Sequence, residues 1–77
     1  MQAENASPDM EVTWTARTRT ESAVLLKYPK GWRIERLGVE PRPHMMGERS
    51  ILLYPTINQK RVPGETIWVP LSRVQAA

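Results

Sequence analysis

The chain has 77 residues, 40% apolar and 25% charged, with eleven Lys and Arg against eight Asp and Glu for a formal net charge of +3 and a pI near 9.8. That length holds one domain with a thin core, and the absence of cysteine excludes a disulfide framework or a thiolate metal site and suits a reducing compartment. No apolar run approaches the roughly 18 residues of a membrane span, and the first ten residues lack the apolar core of a signal peptide, so a cytoplasmic protein without a membrane partner is expected.

Residues 1–10 are polar, small and aperiodic, with Pro8 among them, which predicts a disordered arm ahead of a single domain over residues 11–77. From Glu11 to Thr20, Val12, Trp14, Ala16 and Thr18 alternate with Thr13, Thr15, Arg17 and Arg19, a period of two that predicts a strand with one wet face. Glu21-Ser22 then reads as a tight turn, and Ala23 to Tyr28 as a second strand and the most buried one. Pro29-Lys30-Gly31 is a turn signal. Trp32 to Val39 predicts a third strand whose apolar parity changes around Arg36, the mark of a bulge.

Pro41-Arg42-Pro43 excludes both helix and central strand, so residues 40–49 are expected as a loop pivoting at Gly47. Ser50 to Thr56 predicts a fourth strand kinked at Pro55, followed by a polar tip at Asn58 to Arg61 and a type II turn at Pro63-Gly64. Thr66 to Val69 predicts the last strand, stopped by Pro70, and Leu71 to Val74 a single 3₁₀ turn with Ser72 as its cap. No helical period of useful length is read anywhere. Five short strands joined by Pro and Gly turns predict an all-β fold, and at this size a closed antiparallel barrel, because closure removes sheet edges.

Two segments carry a resemblance: Glu21-Ser-Ala-Val-Leu-Leu-Lys-Tyr28 and Glu65-Thr-Ile-Trp-Val-Pro-Leu-Ser-Arg-Val74. The chain resembles small bacterial and phage proteins with a Glu-x-Ala-aliphatic-Leu strand and a closing Trp-aliphatic-Pro-x-Ser-x-aliphatic strand. The matching positions are Glu21, Ala23, Val24 and Leu25, then Trp68, Val69, Pro70, Ser72 and Val74. About a quarter of the chain is covered, and the two segments are much farther apart here than in those proteins. The resemblance implies a five-stranded SH3-like barrel, with an OB-like barrel as the neighbouring reading, and an origin in a phage or other mobile element. It transfers no catalytic residue.

Catalytic chemistry finds little to use. The one histidine, His44, has no cysteine and no carboxylate cluster beside it, so a tetrahedral metal site cannot be completed within the chain. A Ser50 or Ser72 nucleophile would need His44 in reach and an orienting acid, which no spacing proposes. The four glycines are isolated, so there is no phosphate loop. The expectation is a non-enzymatic binding module without a cofactor or metal.

Two contact surfaces are read from the residues. The first joins Arg42, His44, Met45, Met46 and Arg49 of the loop with Trp68, whose parity sets it opposite Ile67 and Val69. Adjacent methionines adapt to a partner surface, and Trp and Arg dominate interface hot spots. This surface suits a protein partner, as in an accessory or inhibitor protein. The second is a nucleic-acid face of Arg17, Arg19, Trp32, Arg33 and Trp68, since sheet aromatics flanked by cations stack bases and track phosphates. Weighed against both is the plainer expectation that Trp14 and Trp32 supply core bulk in a chain without phenylalanine. Self-association through an unpaired strand edge is a third course.

Overall fold

The structure is a computed structural model and describes residues 1–39 and 49–77. The expected loop residues Arg42, His44, Met45 and Met46 lie outside the described residues. In chain order the elements are β1 (Glu11–Trp14), α1 (Arg19–Lys27), β2 (Trp32–Val39), β3 (Arg49–Tyr54), β4 (Thr56–Ile57), β5 (Lys60–Arg61), β6 (Ile67–Pro70) and β7 (Val74–Ala76). Short 3₁₀ turns occupy Ala3–Asn5 and Leu71–Arg73. The fold is mostly β: a five-stranded antiparallel sheet in the order β6-β3-β2-β1-β7, a β4–β5 hairpin and one short helix.

The sheet's two edges, β6 and β7, are consecutive in sequence. Three residues of 3₁₀ turn separate them, a span of about 6 Å at that helix's rise. In a flat sheet four strand spacings would hold the edges about 19 Å apart. The sheet is therefore strongly curled. No ladder joins β6 to β7 among the described residues, so the expected closed barrel is instead a curled, open sheet. The bend is placed in β2, whose pairing with β3 slips by one residue between Ile34 and Arg36. An extra residue there increases local twist and turns the strand.

The curled sheet encloses Val12, Trp14, Tyr28, Trp32, Ile34, Ile51, Leu53, Val69 and Val74. Trp14 and Trp32 meet edge to face at 5.4 Å and 89°, and Tyr28 meets Trp32 in the same manner at 6.2 Å. Such pairs add about 0.5–1.5 kcal/mol beyond their buried area. The Trp32 indole N–H donates to the Tyr28 carbonyl at 2.6 Å. Trp32 is only 2% exposed, so it is core rather than contact surface.

The segment from Arg19 to Lys27 corrects two expectations at once, the extension of the first strand to Thr20 and the second strand at Ala23–Tyr28. It is a nine-residue helix with no buried residue. Its start is a capping box: the Thr18 hydroxyl accepts from the Glu21 N–H at 3.1 Å, and Glu21 accepts from the Thr18 N–H at 3.2 Å. Val24, Leu25 and Tyr28 lie at helical spacing against the core, while Leu26 is 84% exposed. The Glu21 carboxylate also receives both ends of the Arg73 guanidinium, at 2.8 and 3.3 Å, tying α1 to the 3₁₀ turn before β7. That turn has Pro70 at its N-cap and no side-chain cap bond, so Ser72 does not perform the capping expected of it.

Residues 1–10, expected as a disordered arm, pack on the sheet. Met1, Ala6 and Met10 rest against the core. The Asp9 N–H donates to Ile34 and the Ile34 N–H to Met10, at 2.7 and 3.0 Å, which extends the β1–β2 pairing outward. The terminal ammonium donates to the carbonyls of Leu71 and Val74. These contacts and backbone bonds are what hold residues 1–10 against the sheet in this structure.

Candidate functional site

A strand in a curled sheet has an inner face in the core and an outer face in water. On β3 both faces are buried: Ile51 and Leu53 inward, Ser50, Leu52 and Tyr54 outward. The outward residues are covered by long side chains reaching over them from neighbouring strands.

The register shows how. Leu52 pairs with Arg36 on one side and with Trp68 on the other, so the three form one row across β2, β3 and β6. The Arg36 guanidinium lies 5.0 Å from the centre of the Trp68 ring. A cation over an indole face is attracted by the ring quadrupole. The pair thus closes above Leu52 and leaves it 7% exposed. The next row holds Gly38, Ser50 and Pro70. The Trp68 ring leans onto it, with Cη2 3.1 Å from where a Gly38 Cβ would stand. A side chain at position 38 would move the indole. Trp68 itself is half-buried and shares the outer face with exposed Arg36. Its neighbours Ile67 and Val69 pack toward the core.

A second outer cluster surrounds Tyr54. Its hydroxyl donates to the Asp9 carboxylate at 2.6 Å, and the Arg61 guanidinium stacks 4.3 Å from its ring centre. Arg61 also pairs with Glu35, the residue at the bulge. Arg33 donates to the Asp9 carbonyl at 3.0 Å. Burial, then the bond to Asp9 and its negative charge, raise the Tyr54 pKa above the usual value, with Arg33 and Arg61 opposing. For Glu21, burial pushes the carboxyl upward, but the bonds from Arg73, Arg17 and Thr18 and the Arg73 charge outweigh it, and the pKa falls below the usual value.

The structure disperses the residues of the expected nucleic-acid face. Arg17 precedes the helix and Arg19 opens it, both exposed; Trp32 is core; Arg33 is half-buried beneath Asp9; Trp68 lies on the outer face with Arg36. Of the protein-contact residues, Trp68 is placed on an outer face and Arg49 is exposed at the start of β3. The sequence reading missed Arg36, Gly38 and Leu52 as Trp68's companions. Only the strand register, shifted by the bulge, puts them in adjoining rows.

Among the described residues no three His, Asp or Glu side chains gather as a metal site, and no helix is long and apolar enough to cross a membrane. Comparison with protein-family models, with curated proteins and with solved structures finds no match to this chain.

Proposed function

We propose that the chain is a non-enzymatic protein-binding module whose contact face centres on Trp68 and Arg36. The observation that carries this reading is the half-buried indole held over Gly38 by a stacked guanidinium on the outside of the sheet. Trp and Arg side chains fixed before binding lose little rotamer freedom on contact, and they are the residues that most often dominate interfaces. The pair offers an apolar plate beside a cation, suited to a partner segment with a carboxylate next to an apolar side chain. Among the described residues β6 is an edge strand, so an extended partner segment can also pair with it beside Trp68.

The finer fold reading that accompanies this function is an SH3-like arrangement in which the curled sheet is left open between β6 and β7. It is supported by consecutive edge strands joined through a single 3₁₀ turn and by the bend in β2. An accessory or inhibitor role toward a host protein fits the phage or mobile-element origin that the resemblance implies, and a cytoplasmic setting fits a chain without cysteine.

The test is affinity capture from nuclease-treated host lysate with the wild-type chain and Trp68→Ala in parallel. A specific partner should be retained by the wild type and lost from the variant, since a central Trp truncation costs about 2 kcal/mol or more, roughly 30-fold in affinity. Capture that survives Trp68→Ala with the fold intact removes this face from the function.

A further inference from the structure

We propose that a second site, the cleft between the end of α1 and the β4–β5 hairpin, binds a nucleoside phosphate. The cleft has a volume of about 440 Å³ and is open on one side, a size within the range of small-ligand sites. Gly31 at the cleft and Gly38 under Trp68 stand seven residues apart on β2 and its approach, a separation of at most about 23 Å along the strand.

Three cations enter this cleft from three different elements. Lys27 comes from the last turn of α1, Lys30 from the turn that follows it, and Arg33 from β2. A single lining carboxylate, Glu11, stands across the β1–β2 ladder from Arg33, and the two lysines leave the cleft positive overall. The cations are positioned by the fold. The Lys27 ammonium stands 5.4 Å from the Tyr28 ring centre, and one Arg33 nitrogen is fixed on the Asp9 carbonyl. Like charges gathered in a concavity repel one another, and an anion relieves that repulsion. Phosphate, with several acceptor oxygens, is the anion that best uses lysine and arginine donors together.

The remaining walls suit a nucleoside rather than bare phosphate. Ile57, 56% exposed, offers an apolar surface that a base or sugar can cover. Asn58 and Gln59 line the rim, held in left-handed conformations at φ 51° and 66° by the hairpin turn. Their amides carry both donors and acceptors, as the edge of a base requires.

The experiment is an amide chemical-shift titration of the full chain at low salt with AMP, adenosine, inorganic phosphate and a decathymidylate strand. AMP should shift Lys30, Gly31, Asn58 and Gln59 and leave Trp68 in place, with adenosine and phosphate each binding at least tenfold more weakly. Lys27→Gln with Lys30→Gln should weaken AMP at least tenfold, whereas Trp68→Ala should not. If the oligonucleotide binds more tightly than AMP, with affinity falling as about the second power of salt, the nucleoside phosphate belongs to a single strand contacting three cations. If AMP binds more tightly, it is a free nucleotide. Absence of binding by both, shifts confined to residues outside the cleft, or adenosine matching AMP overturns the proposal. A double-lysine variant that binds AMP as the wild type does also overturns it.

Discussion

Gly31 offers the sharpest test of the packing described above. It sits at φ +82°, a region that costs an ordinary L-residue about 1–2 kcal/mol. A Cβ added there would lie 2.5 Å from the Thr56 hydroxyl oxygen and 3.0 Å from the Thr56 carbonyl oxygen, and the second is backbone and cannot swing aside. The same two residues are joined by two hydrogen bonds, from the Thr56 N–H at 3.0 Å and from its hydroxyl at 2.7 Å, both to the Gly31 carbonyl. Relieving the clash stretches both, at about 1 kcal/mol each. Gly31→Ala should therefore cost about 3–4 kcal/mol, most of the stability that a core of this size supplies. Gly64 is the internal control, since it has φ +78° with nothing within 4 Å of its virtual Cβ. Gly64→Ala should cost only the backbone strain. Urea unfolding followed by tryptophan fluorescence measures both. In the Gly31→Ala background, Thr56→Ala removes one colliding atom, so the double variant should be more stable than additivity allows. Equal losses at Gly31 and Gly64 would refute the close approach of Gly31 to Thr56.

Three further outcomes are expected. The lowered Glu21 pKa means its contribution to stability is complete above the unfolded carboxyl value near 4.5 and is lost as pH falls through the folded value. The stability gap between wild type and Glu21→Gln, followed by thermal unfolding, should close in acid and be constant near neutrality. The raised Tyr54 pKa runs the other way: its contribution is present below the usual tyrosine value of 10.0 and is lost as pH rises through the folded value. Ultraviolet titration should show a late-ionising tyrosine, and Asp9→Asn should bring it forward. Gly38→Val, which presses on the Trp68 ring, should change the indole's emission and weaken partner capture while costing less stability than Gly31→Ala; unchanged emission would contradict the Gly38–Trp68 contact.

Strands were legible where alternation and turn residues agreed. The parity change around Arg36 announced the bulge in β2, and Pro55 and Pro63-Gly64 marked the ends of the elements they border. The helix was misread because Ala23 to Tyr28 is a short apolar run, in which a strand and a half-buried helix look alike. The signal that could have separated them was present: Thr18 with Glu21 three residues on is a capping box, and Val24, Leu25 and Tyr28 share one helical face. Trp68's outward direction followed from its own strand. Its companions did not, because Arg36 and Leu52 join it only through a register set across three strands. The cleft was illegible because its cations, at positions 27, 30 and 33, meet Ile57, Asn58 and Gln59 only through tertiary packing.

The pairing of β1 with β7 sets Val12 opposite Ala76, almost the whole length of the chain away. Contacts so distant in sequence must close a long loop before they repay its entropy, which slows folding relative to helical domains of equal size. During synthesis β1 can find β2 early, but its other edge stays unpaired until residues 74–76 emerge. Val74, wholly buried and delivered in β7, then completes the core around Trp14. A chain in which β7 has not yet paired accordingly exposes a Thr- and Trp-bearing strand edge, and unpaired edges of this kind favour aggregation.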